Sequence, residues 1–475
     1  MDLKKKIYKA APGSVQRWLG YTYSKYTTVR YRKVFWGNYA FLQESQWWSR
    51  DKLEEYQMQQ LTKLLNHAYE NVPYYRHIFT ERGLKPKDIQ DFNDLSKLPY
   101  LTKEIIRENI QDLIAQNYPK SKLQYSTTGG STGFPLGLYR EKGVSNIQER
   151  AFMLSLCNRV GYKIGDRSVL LKSNVVHSAS KGKHWEYDPV NKDLVLSSYH
   201  MTDGTLQSYL DKIREFKPAF IRAYPSTITV LARFMKENDI KSFPTVKAIL
   251  CSSENLYQWQ RDLLAQVFQC RVYSWYGNTE MTALAGECEK SNFYHIFPEY
   301  GFVEIIHDND GIVTGEDGMG EIIATGLNNF ACPIIRYRTM DLAVPSSAKC
   351  ECGRNYPLLE RIEGRLQDLV VTRDNRLVTL TALILGQSSF PIGAFSRIKQ
   401  MQLVQEKKGE VTVKIVKGHS YSTADEGEIL SKIQAGVGGG LDINFTYVDQ
   451  IPRTKGGKYR YLIQKLPIES GKCIE

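Results

Sequence analysis

Long apolar runs are missing from this 475-residue sequence. No stretch approaches the roughly 18 consecutive apolar residues that a helical membrane span needs, and mean hydropathy is −0.40. Cysteine is sparse, with eight in the chain, far below the density of a disulfide scaffold. Most of these thiols are expected to stay reduced in a cytoplasmic setting, several of them buried as small hydrophobes. The opening MDLKKKIYKAAPGSVQRWLGY is basic but has no apolar centre of the signal-peptide kind, so secretion is not expected. No internal repeat or low-complexity tract is visible. No GK[ST] follows a glycine run, which excludes a Walker loop, and no GxSxG nucleophile elbow occurs. His177, His184, His200 and His419 lie near turn sequence, where surface positions are expected and no Ser-His-Asp set can be assembled.

Acid is nearly absent from residues 1–36. Asp2 stands alone there against Lys4, Lys5, Lys6, Lys9, Arg17, Lys25, Arg30, Arg32 and Lys33. That segment carries +8 of the net +12, leaving +4 for the other 439 residues. Aromatic residues, Trp18 and Trp36 among them, are interleaved with the positive charge. The pattern suits peripheral contact with an anionic membrane surface, or a helical hairpin with a solvated basic face. A nearly neutral body argues against a nucleic-acid binder.

A chain of this length predicts two or three domains. Residues 1–120 read as mostly helical. In RDKLEEYQMQQLTKLLNHAYE the helical spacing marks Leu53, Tyr56, Leu61, Leu64 and Leu65 as the buried stripe. Thr102 is placed to cap a helix beginning KEII. From residue 121 to 365 short β-branched runs (RSVLL, AFIRAY, VKAILCS, CRVYSWY, GEIIATG) appear, several separated by helical stretches. This predicts a layered α/β domain with parallel strands. RIEGRLQD, 361–368, reads as a polar hinge. Residues 366–475 then give a hairpin (MQLVQEKKGEVTVKIV), a helix and a strand, a small α+β domain.

Residues 126–133, STTGGSTG, lie inside the large domain. Gly129, Gly130 and Gly133 permit backbone conformations that turn successive N–H groups inward, and Ser126, Thr127, Thr128, Ser131 and Thr132 add hydroxyls. The stretch reads as a phosphate nest or as a tight hairpin.

The company of that loop narrows the choice. GGSTGFPL, SWYGNTEMTALAGE, IIRYRTMDLAV, KCECGR, RIEGRLQDLVV and PRTKGGKYRY occur in this order. Together they resemble the adenylate-forming superfamily of acyl-CoA synthetases, luciferase-like enzymes and peptide-synthetase adenylation domains. The nearest branch is the phenylacetate–CoA ligase family, and within it the CapK-type proteins of capsular polysaccharide biosynthesis. The resemblance covers roughly residues 50–465. It implies a large α/β domain and a mobile C-terminal lid, ATP and Mg²⁺, and a small carboxylic acid converted to acyl-AMP. A thiol, amine or hydroxyl acceptor would then take the acyl group, with CoA as one candidate.

Roles follow residue by residue. Loop 126–133 would hold the β- and γ-phosphates, with Phe134 where the family commonly has lysine. Glu280, in Tyr276-Gly277-Asn278-Thr279-Glu280, would ligate Mg²⁺. Thr279 would bond the α-phosphate, and Tyr276 would wall the pocket. Asp341 would accept both ribose hydroxyls, and Arg365 would reach ribose or phosphate. Met340 stands where Gly or Arg is usual. Ser253, Glu254 and Asn255 would lie against adenine. Gln367 and Asp368 mark the hinge, and Lys458 is the candidate catalytic lysine. Cys288, His295, Cys350 and Cys352 form a Cys₃His set suited to a structural zinc ion. The expected setting is the cytoplasm, at the inner membrane face if residues 1–36 make contact there. The substrate acid, the acceptor and the oligomeric state are not encoded in any motif.

Overall fold

The computed structural model describes residues 32–127, 136–172, 176, 183–306, 318–365, 368–380, 383, 397–418, 420–437, 440–454, 458–466, 468–469 and 472–473. The N-terminal part is helical: α1 (Arg32–Ser45), α2 (Arg50–Asn71), α3 (Pro73–Glu81) and the short α4 (Lys103–Glu108). Ser49 caps α2 by accepting from Lys52 N at 3.3 Å, and Thr102 caps α4 by accepting from Ile105 N at 3.3 Å. The buried face of α2 is Leu53, Gln57, Leu61, Leu64, Leu65 and Ala68. Tyr56 is only half-buried. The position it was expected to fill belongs to Gln57, whose amide donates to Pro298 O at 3.2 Å and Gly301 O at 2.9 Å. No helix among the described residues is long and apolar enough to cross a membrane.

An antiparallel pair, β1 (Leu123–Thr127) and β2 (Gly137–Glu141), brackets the glycine loop. Next come α5 (Ser145–Asn158), β3 (Ser168–Leu171), β4 (Trp185–Asp188), β5 (Asp193–Leu196), α6 (Asp203–Phe216), β6 (Phe220–Ala223) and α7 (Pro225–Glu237). The chain continues through β7 (Ala248–Ser252), α8 (Gln258–Phe268), β8 (Arg271–Gly277), β9 (Leu284–Gly286), β10 (Tyr294–Ile296), β11 (Gly301–Ile306), β12 (Gly320–Gly326), β13 (Tyr337–Ser346) and β14 (Leu358–Arg365). Strands β3 to β14 form one sheet of twelve, ordered β11-β12-β13-β14-β10-β9-β8-β7-β6-β3-β5-β4.

The parallel expectation holds for one half of it. Strands β5, β3, β6, β7 and β8 are parallel neighbours. Helices α6, α7 and α8 cover them, with Leu210, Leu231 and Leu264 against Val169, Ile221 and Ile249 in one buried cluster. From β8 onward each pairing is antiparallel, including GEIIATG as β12. A mixed sheet of this kind puts a crevice beyond the carboxyl ends of its parallel strands, where ligands of α/β proteins bind.

The C-terminal part has β15 (Leu369–Val371), β16 (Leu377–Thr379), β17 (Ile398–Lys407), β18 (Glu410–Lys417), α9 (Thr423–Val437), β19 (Asp442–Tyr447) and β20 (Leu462–Gln464). Its four-stranded sheet is ordered β19-β18-β17-β20. Gly409, at φ +75°, makes the turn of the β17–β18 hairpin. Leu403, Val413, Ile415, Ile429 and Ile433 form a core of its own. This unit docks on the large domain. Arg233 donates to Ile398 O at 2.7 Å and Lys399 O at 2.9 Å, and Gln260 donates to the Tyr461 hydroxyl at 3.2 Å.

Candidate active site

Glu280 lies in the turn between β8 and β9. Asn278 builds that turn: its side-chain Oδ1 accepts from Thr282 N at 2.9 Å and its Nδ2 donates to Thr282 Oγ1 at 2.6 Å. Met281 takes the left-handed conformation there, φ +58°. The turn fits only because Gly301 and Gly326, register partners on β11 and β12, leave room. A Cβ on Gly301 would collide with Thr282 O, and one on Gly326 would lie 2.8 Å from Met281 O. Glu280 is thereby held at 8% exposure, with Tyr337 Oη donating to Oε1 at 2.7 Å. Thr279 is fixed through its carbonyl, which accepts from Arg140.

Asp341 sits on β13 opposite Arg365 on β14. Arg365 Nε donates to Oδ1 at 3.2 Å and Tyr276 Oη to Oδ2 at 2.8 Å. Met340 has φ +64°, which explains why glycine suits that position: the aspartate is presented by a left-handed kink that a β-carbon strains. The Asp341 carboxylate first, and Asp368 and Glu280 after it, hold the Arg365 guanidinium above its ordinary range.

Lys458 enters this crevice from the lid. Thr454 Oγ1 accepts from Lys458 N at 3.1 Å, and Thr454 N donates to Lys458 O at 2.9 Å. Lys458 Nζ is 5.9 Å from the centre of the Tyr224 ring. Burial and then the Arg365 charge push its ammonium below the ordinary lysine range, against the pull of Glu254 and Asp341. Glu254 ties the lid down: it accepts from Ser226 N at 3.0 Å, Ser226 Oγ at 3.1 Å and Tyr459 N at 3.2 Å. Its side chain is thus a domain clamp, while Ser253, at φ +68°, bends the chain before it. Asn255 lies beside Gly364 and Asp368 of the hinge sequence; a Cβ on Gly364 would be 3.0 Å from Asn255 Nδ2.

The structure therefore brings Tyr276, Gly277, Asn278, Thr279, Glu280, Asp341, Arg365, Asp368 and Lys458 to one crevice. Ser126 and Thr127 end β1, whose partner β2 carries the Arg140 that bonds the Thr279 carbonyl. Thr128, Gly129, Gly130, Ser131, Thr132, Gly133 and Gln367 lie outside the described residues.

Sequence reasoning missed Tyr337 and Lys103. The short bridge between Leu101 and Tyr337, with Leu101 N donating to Arg336 O at 2.9 Å, pins the start of α4 to β13. Lys103 is thereby set among Arg365, Glu280 and Asp341. Burial first, then Arg365, lowers its ammonium, while Glu280 and Asp341 act in the opposite sense. Tyr337 was in plain view inside RYRTMDL, but only the sheet pairing aims it at Glu280.

A second cluster forms where β9, β10 and the β13–β14 turn meet. The ligand atoms of Cys288, His295, Cys350 and Cys352 all lie within 4.8 Å of one another. Cys288 Sγ is 3.5 Å from Cys350 Sγ, and Cys352 Sγ is 3.2 Å from His295 Nε2. His295 Nδ1 is 3.0 Å from Phe293 O, which orients the ring. Burial acts to raise the Cys288 thiol, but hydrogen bonds from His295 and Ser291 bring it down to about 5. Tetrahedral zinc with sulfur at about 2.3 Å needs ligand separations near 3.7 Å, so the donor set fits.

Comparison with known proteins agrees with the motif reading. A family model described as the CapK C-terminal domain matches residues 381–465. Protein CapK of Staphylococcus aureus is 26% identical over 449 residues, 92% of this chain and 94% of that protein. The phenylacetate–coenzyme A ligase of Aromatoleum evansii is 27% identical over 337 residues, 68% of this chain and 73% of that protein. Among solved structures, a 2-hydroxyisobutyryl-CoA ligase in the postadenylation state, in complex with R3-HIB-AMP, superimposes with a TM-score of 0.69 at 18% identity, covering 89% of this chain and 93% of that one. The chain thus has the fold of adenylate-forming ligases, and its similarity to CapK extends over nearly its whole length.

Proposed function

We propose that this chain is an ATP-dependent carboxylic-acid adenylating ligase. One observation carries the reading: Lys458 of the lid reaches the crevice where Glu280, Asp341 and Arg365 face one another. Two cations and two carboxylates, fixed by sheet register and lid docking, form a preorganised frame for a nucleotide. The similarity to phenylacetate–CoA ligases, proteins whose names state acid–thiol ligation, supports the same class.

In the first step a carboxylate oxygen attacks the α-phosphorus of ATP. The new O–P bond forms as the bond to the β-phosphate bridging oxygen breaks, giving acyl-AMP and pyrophosphate. Asp341 accepts the ribose hydroxyls, with Arg365 and Tyr276 holding its carboxylate in place. Lys458 bridges the attacking carboxylate and the α-phosphate as charge accumulates. Lys103 supplies, from the start of α4, a positive charge of the kind that Phe134 cannot. Glu280 Oε1 is occupied by Tyr337, and Oε2 takes no hydrogen bond among the described residues, which suits Mg²⁺ held by one carboxylate and phosphate oxygens. Mg²⁺ would neutralise the phosphates. The Cys₃His set would hold a structural zinc ion that fastens the hairpin behind the Glu280 turn.

In the second step, after the lid rotates about Asp368, an amine, hydroxyl or thiol attacks the acyl carbon; its bond to the phosphate oxygen breaks, AMP leaves and the nucleophile's proton passes to solvent. The resemblance to CapK-type proteins supports a place in surface-glycan assembly, with segment 1–36 resting on the inner membrane face. CoA as acceptor is the second reading, favoured by the ligase relatives. Pyrophosphate-dependent exchange of label into ATP, screened across carboxylic acids, tests the first step: exchange that needs a particular acid supports it, and no exchange with any acid while ATP binds would refute it.

A further inference from the structure

Four side chains form a row across the carboxyl ends of adjacent parallel strands. Leu171 pairs with Ala223, Ala223 with Cys251, and Ser252 with Trp275. Lys172 and Tyr224 just beyond β3 and β6, Ser252 at the end of β7 and Trp275 two residues before the end of β8 are therefore neighbours. Lys172 Nζ donates to Ser252 Oγ at 2.6 Å and lies 4.8 Å from the Trp275 ring centre and 6.0 Å from that of Tyr224. Tyr224 is also the ring beside which Lys458 Nζ stands, so the two ammonium groups are less than about 12 Å apart. The row borders the adenylation site through Lys458, which stands beside Tyr224 and whose charge acts on Lys172.

Lys172 has no acid to answer its charge among the described residues that face it. From β6 comes Arg222, whose own charge is taken by Asp193. From β7 comes Cys251 and from α5 Cys157, and burial pushes their thiols up to about 12 and about 11, so both are neutral. From the lid comes Lys458, a like charge. Residues 173–182, SNVVHSASKG, contain no acid. Burial and then Arg222 lower the Lys172 ammonium to about 8, so at neutral pH it is still mostly charged. A partly buried ammonium with only a hydroxyl and an aromatic face beside it is best matched by an anionic partner, and an unsubstituted aryl or alkyl group in the same place would leave it without one.

We propose that Lys172 is a specificity-determining residue, and that the acid adenylated here carries a second anionic oxygen group that docks on Lys172 while its reacting carboxylate meets Lys458. This rests on the adenylating function proposed above. The span between the two ammonium groups fits a short acid, with a carboxylate or a phosphate as the second group.

The test compares matched acids that differ at the far end: a monocarboxylic acid, the dicarboxylic acid of equal chain length, and the phosphorylated hydroxy acid. Hydroxamate formation with ATP, Mg²⁺ and hydroxylamine gives kcat and KM for wild type, Lys172→Met and Lys172→Arg. Binding of each acid without ATP is followed in parallel by ligand-observed NMR. The expected result is a preference of at least about tenfold for one of the anion-bearing acids, falling at least about tenfold in Lys172→Met. The loss should lie chiefly in KM, with partial recovery in Lys172→Arg; the dicarboxylate and phosphate arms identify the group. A wild-type preference for the monocarboxylic acid, or a preference for an anionic acid that Lys172→Met leaves intact, would overturn the assignment while adenylation stands. Hydroxamate from none of the acids, with Lys172-dependent binding of an anionic acid, would instead count against adenylation and keep the subsite. Neither hydroxamate nor Lys172-dependent binding would overturn both.

Discussion

Asp341 and Arg365 are cross-strand partners on β13 and β14, and Arg365 Nε donates to Asp341 Oδ1 at 3.2 Å. The ion pair sits at the end of β14, where the large domain passes into the C-terminal domain, so the residue that would hold ribose is anchored to the segment that joins the two. Asp341→Asn keeps the shape and removes the charge. It is expected to raise KM for ATP about tenfold or more, consistent with the loss of charge-assisted hydrogen bonds. The acid's own binding, followed by NMR without ATP, should change little.

Tyr337 acts on Glu280 through a single hydrogen bond of 2.7 Å. Tyr337→Phe removes it with little change in volume. An effect of about 1 kcal/mol, roughly fivefold in kcat/KM, is expected, together with a higher Mg²⁺ concentration for half-maximal rate. A magnesium titration of both proteins checks this.

Gly301 and Gly326 make space for the turn that carries Glu280. Gly301→Ala is expected to displace that turn and cost most of the adenylation rate, because the Cβ meets backbone rather than a flexible side chain. Gly83 has open space around its Cβ position but φ +64°, so Gly83→Ala should cost stability modestly and leave activity alone. Paired melting and rate measurements separate the two.

Much of this site can be read in the chain, and the failures have a common cause. The helix over 50–71, the Thr102 cap, the strands of the parallel half and the hairpin near Gly409 follow from local spacing and turn residues. So does the Cys₃His set, whose four members the sheet brings together as the sequence suggested. What the spacing could not give depends on pairing between distant segments. Gln57 is buried because Pro298 and Gly301 offer it two carbonyls. Lys103 reaches the site through one bridge to Tyr337. The antiparallel half reads as short apolar runs like the parallel half, and only the lack of helical stretches between its strands, among the described residues, marks it off.

The Cys₃His cluster predicts a metal-dependent stability. Cys350→Ser should lower zinc content and the melting temperature together. A chelator should lower the wild-type melting temperature towards that of the variant, while ATP binding persists in the chelated protein below that transition. Metal analysis of the purified protein and thermal unfolding with and without chelator check it.

The bridge proposed for Lys458 requires its charged form, and its ammonium is lowered from the ordinary 10.5, by burial first. The charged form is present at low pH and is lost as pH rises through the lowered value. Adenylation should therefore fall on the alkaline side earlier than an ordinary lysine would allow, and Lys458→Arg should shift that limb upward.

The most direct measurement of the central claim is a single-turnover trap. Wild type and Lys458→Ala are mixed with ATP, Mg²⁺, hydroxylamine and an acid identified by exchange, without CoA, and hydroxamate and pyrophosphate are followed together. Adenylation predicts equal amounts of the two products in wild type, and a rate about 10²–10³-fold lower in the variant with ATP binding kept. Equal rates in both proteins, or pyrophosphate without hydroxamate, would contradict it.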